Sequence, residues 1–172
     1  MDFKVGQILN FKYYDGPFQR GIRYYNRCVY GEDGFTHSAI ITNVSADWIE
    51  IGEALGHFTV SNYERWWVEG KIKEGVISVG TACIQPLNNV KYYADKYVGI
   101  GYGFWAVLLI FIFGKYASKI SDGVKSLICS EAVARLLYDA SDKKIDFEPE
   151  FKKSYDMITP EDLFKSRQIK WI

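Results

Sequence analysis

Two β-rich runs separated by a four-residue turn constrain this chain more than any other feature. Thr36 to Asn43 (THSAIITN) carries β-branched bulk at Ile40 and Ile41. Trp48 to Ala54 (WIEIGEA) alternates apolar and polar residues around Ile49 and Ile51, the pattern of a half-buried strand. The segment Val44 to Asp47 is short enough for a hairpin, so the two runs are expected to pair antiparallel. Further strands are predicted at Gln7 to Tyr13, His57 to Val60 and Gly75 to Ile84. Tyr14 to Arg23, with Gly16, Pro17 and Gly21, reads as a loop or broken helix, and a short helix is expected within Arg20 to Val29. Tyr63 to Gly70 reads as a short helix or an aromatic loop, and Asn88 to Tyr97 has helical composition. The clearest helix is Lys125 to Asp139, where Ile128, Ala132 and Leu136, with Val133 and Leu137, fall at helical spacing. Near the end, Thr159 is an N-cap, with Pro160 at the first helical position and Asp162 three residues after the cap. The sum is an α+β fold, a small antiparallel sheet packed against helices. Without an internal repeat or a linker-like stretch, residues 1–172 read as a single domain.

Composition narrows the classes of function. A chain of 172 residues with 17% aromatics buries a core of its own, which argues against disorder. Lys plus Arg and Asp plus Glu both total 21, and basic residues do not cluster, so no nucleic-acid partner is expected. Cys28, Cys83 and Cys129 are an odd number with no CxxC spacing, which suits free thiols in a reducing compartment. The N-terminus has no basic start followed by an apolar stretch, so no signal peptide is read and a cytoplasmic location is expected. No metal or other cofactor is called for. The apolar run Phe104 to Phe113 is shorter than the roughly 20 residues a spanning helix needs. It reads as a buried helix, with a hydrophobic lid or a peripheral membrane contact as the alternative.

Cys129 sits near the N-terminal end of the predicted Lys125–Asp139 helix, where the helix dipole favours a thiolate, the nucleophilic form. Position alone does not separate it from an inert core cysteine. His37 opens the first strand of the hairpin; it is a base for the thiol if it comes within hydrogen-bond reach, and otherwise an ordinary strand-end histidine. Glu53 lies 16 residues further on, and antiparallel pairing brings it roughly level with His37, where a carboxylate fixes the imidazole tautomer. His57 is the competing third member. Glu50 is too near the turn, and Glu131 is about 200° around the helix from Cys129.

These residues and their surroundings resemble the permuted papain-like branch of the NlpC/P60 superfamily, which includes the YiiX-type and lecithin retinol acyltransferase-like proteins. In that branch the histidine strand precedes the cysteine helix. The matching pieces are Val5-Gly-Gln-Ile-Leu, Thr36-His-Ser-Ala-Ile, Ile51-Gly-Glu-Ala, Leu127-Ile-Cys-Ser-Glu-Ala-Val and Ile158-Thr-Pro-Glu-Asp-Leu. The resemblance implies a circularly permuted papain-like fold and a cysteine peptidase, amidase or acyltransferase. It implies Cys129 as nucleophile, His37 as base and Glu53 as the polar third residue. The glutamate points to the YiiX-like side, since a second histidine is usual among the acyltransferases. Two departures stand out: the usual Gly-Asp-Ile opening is Gly6-Gln7-Ile8, and the stretch between Tyr97 and Lys125 does not align. The reaction expected is cleavage of an amide or ester in a peptide, peptidoglycan-type or acyl-lipid substrate through an acyl-enzyme. The oxyanion is then held by the backbone N–H of Cys129 and a second donor, Tyr13 or Tyr14. The alternatives are an acyltransferase acting on lipids and a non-catalytic binding or structural module that keeps the fold.

Overall fold

The computed structural model describes residues 1–12, 17–31, 34–104, 107 and 125–172. A six-stranded antiparallel sheet is built from β1 (Ile8–Phe11), β2 (His37–Val44), β3 (Trp48–Ala54), β4 (Phe58–Glu64), β5 (Ile77–Ala82) and β8 (Ile169–Trp171), in the order β4-β3-β2-β1-β5-β8. Helices α1 (Pro17–Tyr30), α2 (Arg65–Lys73), α3 (Val90–Tyr97), α4 (Cys129–Ala140), α5 (Phe147–Phe151) and α6 (Pro160–Lys165) complete the α+β architecture. A separate parallel pair, β6 (Gly101–Tyr102) and β7 (Ser126–Leu127), sets Tyr102 beside Leu127, two residues before Cys129.

The predicted hairpin forms between β2 and β3, with a register shift between Ile41 and Asn43. β4 continues the meander and runs further than expected, because its pairing with β3 extends to Trp48 opposite Glu64 and takes Tyr63 into the sheet. The helix expected within Arg20 to Val29 is present and starts earlier: from Pro17 on, the loop or broken helix expected over Tyr14 to Arg23 is instead α1, where the fixed φ of Pro17 suits a first helical position and Gly21 is carried inside the helix.

Both faces of the sheet are covered, so its inner strands are buried almost throughout rather than alternating. On one face Ile8, Ile40, Ala54 and Ala82 pack with Ala132, Val133, Leu136 and Leu137 of α4. On the other, Leu9, Phe11, Ala39, Ile41, Ile51 and Val79 pack with Phe3 and with Val68 of α2. Gly52 is a close approach within the sheet: a Cβ there would lie 2.9 Å from Cζ of Phe58 on β4, whose ring in turn meets Tyr97 of α3 edge-on.

The segment Ile158–Pro160 braces the two layers. Thr159 caps α6 by accepting from the Asp162 N–H, and Asp162 accepts the Thr159 N–H in return, a reciprocal box around Pro160 at the first position. The flanking carbonyls reach outward. Ile158 O accepts from Ser130 Oγ at 2.6 Å, and Pro160 O accepts from Asn10 Nδ2 at 2.9 Å. Ser38 Oγ in turn donates to Asn10 Oδ1 at 2.6 Å. One short stretch thus anchors the start of α4 and the start of β2.

Two substitutions test this packing. Leu137→Ala, at a fully buried position, is expected to lower the unfolding free energy by about 3 kcal/mol, and Thr159→Ala by about 1 kcal/mol. Urea denaturation measures both, and a Leu137→Ala midpoint equal to the parent's contradicts the packing of α4 on the sheet.

Candidate active site

The site is assembled where pairing between β2 and β3 ends. Because side chains alternate along a strand, His37 shares a face with Ala39 and Ile41, and its ring packs 5.3 Å from that of Phe11. Glu53 stands opposite Ala39, which makes it the diagonal neighbour of His37 on the same face. His37 Nε2 meets Glu53 Oε2 at 2.8 Å. The other carboxylate oxygen, Oε1, accepts from the Tyr63 hydroxyl at 2.5 Å.

Helix α4 lies on the opposite face, yet its first residue reaches the imidazole. The β2–β3 register stops at Ala39 opposite Glu53, and one residue earlier the Ser38 N–H points at the Cys129 sulfur. The sulfur also bonds the His37 side chain and accepts from the Ser130 N–H. With Nε2 engaged by Glu53, Nδ1 is the ring nitrogen left for the thiol. Residues 92 positions apart in the chain therefore meet, all but closed to solvent: Cys129, His37 and Glu53 are 2%, 1% and 2% exposed.

Burial and charge oppose one another here. Burial disfavours the imidazolium, but the neighbouring sulfur and the Glu53 carboxylate, by charge and hydrogen bond, raise the His37 pKa to about 9. Burial also works against a thiolate, yet His37, with the Ser38 and Ser130 N–H groups, holds Cys129 below the ordinary thiol range. Glu53 is desolvated too, and its bonds to His37 and Tyr63 keep it below the usual carboxylate range. The arrangement supports a thiolate–imidazolium pair with a carboxylate behind it.

Other sequence candidates fall elsewhere. His57 is exposed in the turn between β3 and β4, bridged to Gly101, while Glu53 holds the imidazole; the alternative third residue is thus corrected. Tyr13 and Tyr14 lie outside the described residues. The tyrosine seen at the sulfur is Tyr102, whose hydroxyl bonds Cys129; burial and the sulfur's charge push its own pKa up. Of the apolar run 104–113, Phe104 is exposed, with its ring 5.0 Å from that of Tyr102, and Val107 is buried. The rest of the run lies outside the described residues. Glu50 pairs with Lys91 at 2.9 Å. Glu131 accepts the Ile128 N–H and the Arg135 Nε, and burial pushes its pKa up to about 8 despite Arg135.

Sequence reasoning missed Tyr63 and Tyr102. Tyr102 sits in Gly101-Tyr102-Gly103, and Gly103 gives close room to Ile128: an added Cβ would meet its Cγ2 at 3.1 Å. That flanking pair of glycines was the available signal. Tyr63 was hidden by the aromatic run that follows it, which reads as helix. Among the described residues no group of three or more His, Cys, Asp or Glu is placed to hold a metal ion, and no helix is long and apolar enough to cross a membrane.

The charge pair has a measurable consequence. A thiol with the ordinary pKa of about 8.5 is mostly protonated at pH 7, whereas Cys129, held below that range, is expected to carry more thiolate there. His37→Ala removes the largest opposition to burial, leaving only the Ser38 and Ser130 N–H groups, and is expected to slow iodoacetamide alkylation of Cys129 at pH 7 by at least about tenfold, one pH unit of thiol acidity. Peptide mapping by mass spectrometry follows the rate, and equal rates in the two proteins contradict the coupling.

Neither protein-family models nor curated protein sequences give a match to this chain.

Proposed function

We propose that this chain is a cysteine hydrolase that cleaves an amide or ester bond through an acyl-enzyme on Cys129, on a permuted papain-like fold of the NlpC/P60 type. The observation that carries the reading is the buried relay from Cys129 through His37 to Glu53. Three ionisable groups closed away from water are a costly way to fill a core, and packing alone does not call for them in this order.

In the proposed reaction the Cys129 thiolate attacks the substrate carbonyl carbon. The carbonyl π electrons move to oxygen, and that oxyanion is held by the Cys129 backbone N–H and the Tyr102 hydroxyl. Collapse breaks the bond to the leaving group, which takes the imidazolium proton from His37. A water then gives its proton to His37 and attacks the thioester, and the acid product leaves as the thiolate is restored. Glu53 keeps its bond to Nε2 throughout and holds the ring with Nδ1 toward the sulfur.

An acyltransferase would differ only in the acceptor, a hydroxyl or amine in place of water. The exposed Phe104 ring beside Tyr102 supports an apolar acyl group on that side of the sulfur, and with it a lipid substrate. Co-sedimentation with liposomes, comparing the parent with a chain made polar over residues 104–113, reads that preference.

Cys129→Ala is expected to retain the fold and to lose both turnover and covalent labelling by a thiol-directed acyl probe, across a panel of peptides, esters and acyl-lipids. Labelling that survives in Cys129→Ala and disappears in Cys28→Ala or Cys83→Ala refutes the assignment.

A further inference from the structure

We infer that Tyr63 is a positioning residue that fixes the Glu53 carboxylate and, through it, the charge pair of His37 and Cys129. This rests on the reading of Cys129 as nucleophile and adds a fourth member to the relay.

The bond from His37 engages only Oε2 of Glu53. The terminal torsion of a glutamate is soft and roughly two-fold, so one bond leaves the carboxylate plane free to turn. It also leaves the second oxygen of a buried anion in need of a donor. The Tyr63 hydroxyl supplies that donor at Oε1, at 2.5 Å. Two bonds to different oxygens, from partners on β2 and β4, define the plane and hold Oε2 toward Nε2.

Tyr63 is itself well held. The register sets it opposite Ile49, on the face that carries Ile51 and Glu53. Its ring stacks on Trp67 of α2, with centroids 5.6 Å apart and planes 27° apart. The phenol is thus clamped between sheet and helix with its oxygen at the carboxylate. A role in packing alone would use the ring and leave the hydroxyl without effect, and this makes Tyr63→Phe the informative change: the ring and its stack stay, and the donor goes.

The test is a double-mutant cycle of Tyr63→Phe and Glu53→Gln in a chain carrying Cys28→Ser and Cys83→Ser, so that Cys129 is the one thiol. Three quantities are read: the iodoacetamide alkylation rate at pH 7, the ultraviolet thiolate absorbance relative to Cys129→Ala, and the titration of the His37 ring by NMR. Near-ultraviolet circular dichroism confirms that each variant is folded. Tyr63→Phe is expected to lower the His37 midpoint from about 9 by about one pH unit, the scale of one hydrogen bond to a charged group, and to reduce thiolate absorbance and alkylation with it. Glu53→Gln reduces all three further, and adding Tyr63→Phe to it changes nothing more, because Tyr63 acts through Glu53. A Tyr63→Phe protein matching the parent in all three readouts overturns the inference, and so does a double variant showing the two effects in full sum. These readouts report the thiol and imidazole rather than turnover. A chain that shows the coupling but hydrolyses nothing defeats the proposed function and leaves the role of Tyr63 standing; turnover without the coupling does the reverse.

Discussion

Everything at this site depends on a charge balance kept away from water. The imidazole of His37 and the carboxylate of Glu53 are both buried, 2.8 Å apart, with the Cys129 sulfur on the far side of the ring. Each charge alone would be strongly unfavourable there. Together they are tolerable because each has an opposite neighbour and because N–H and O–H donors fill the remaining valences: Ser38, Ser130 and Tyr102 at the sulfur, Tyr63 at the carboxylate. Such a set is held as a whole. Removing one member shifts the proton balance of its neighbours, which neutralise where they cannot stay paired.

The sheet makes the balance geometrically available. Three consecutive strands, β2, β3 and β4, contribute His37, Glu53 and Tyr63 in that order, all presented on one face. The Cys129 sulfur comes from the layer on the other face. It meets the strand where the pairing of β2 with β3 ends, at Ala39 and Glu53, and where the Ser38 N–H is turned to the sulfur. The helix N-terminus thus meets the end of the β2–β3 ladder, and the shared anchor at Ile158–Pro160 holds the start of the helix and the start of β2 together there.

The hairpin was legible in the sequence because a period of two and a four-residue turn admit few pairings, and antiparallel counting alone brought residues 37 and 53 to one place. The cap at Thr159 was legible because its chemistry is local. Helix α1 was legible in part, as a short helix within Arg20 to Val29; its first turn was not, since Pro17 and Gly21 read as breaks when only neighbours in sequence are weighed. Glu53 was placed beside His37 by that antiparallel counting, but on a strand read as half-buried; its full burial was not legible, because it comes from the cover on both sheet faces and from partners on β2 and β4. Tyr63 and Tyr102 were invisible for the same reason. Each depends on a tertiary approach, one through strand pairing longer than local pattern suggests, the other through a two-residue parallel pair between segments far apart in sequence.

The anchor also sets a schedule. In an unstructured chain Cys129 is an ordinary thiol with no imidazole nearby, and its acidity appears only when helix and strand are locked together. Ile158 and Pro160 are part of that lock, so in a growing polypeptide its bonds are complete only after synthesis has passed residue 160. The contacts that make the sulfur acidic are in this way tied to a stretch made about thirty residues after it.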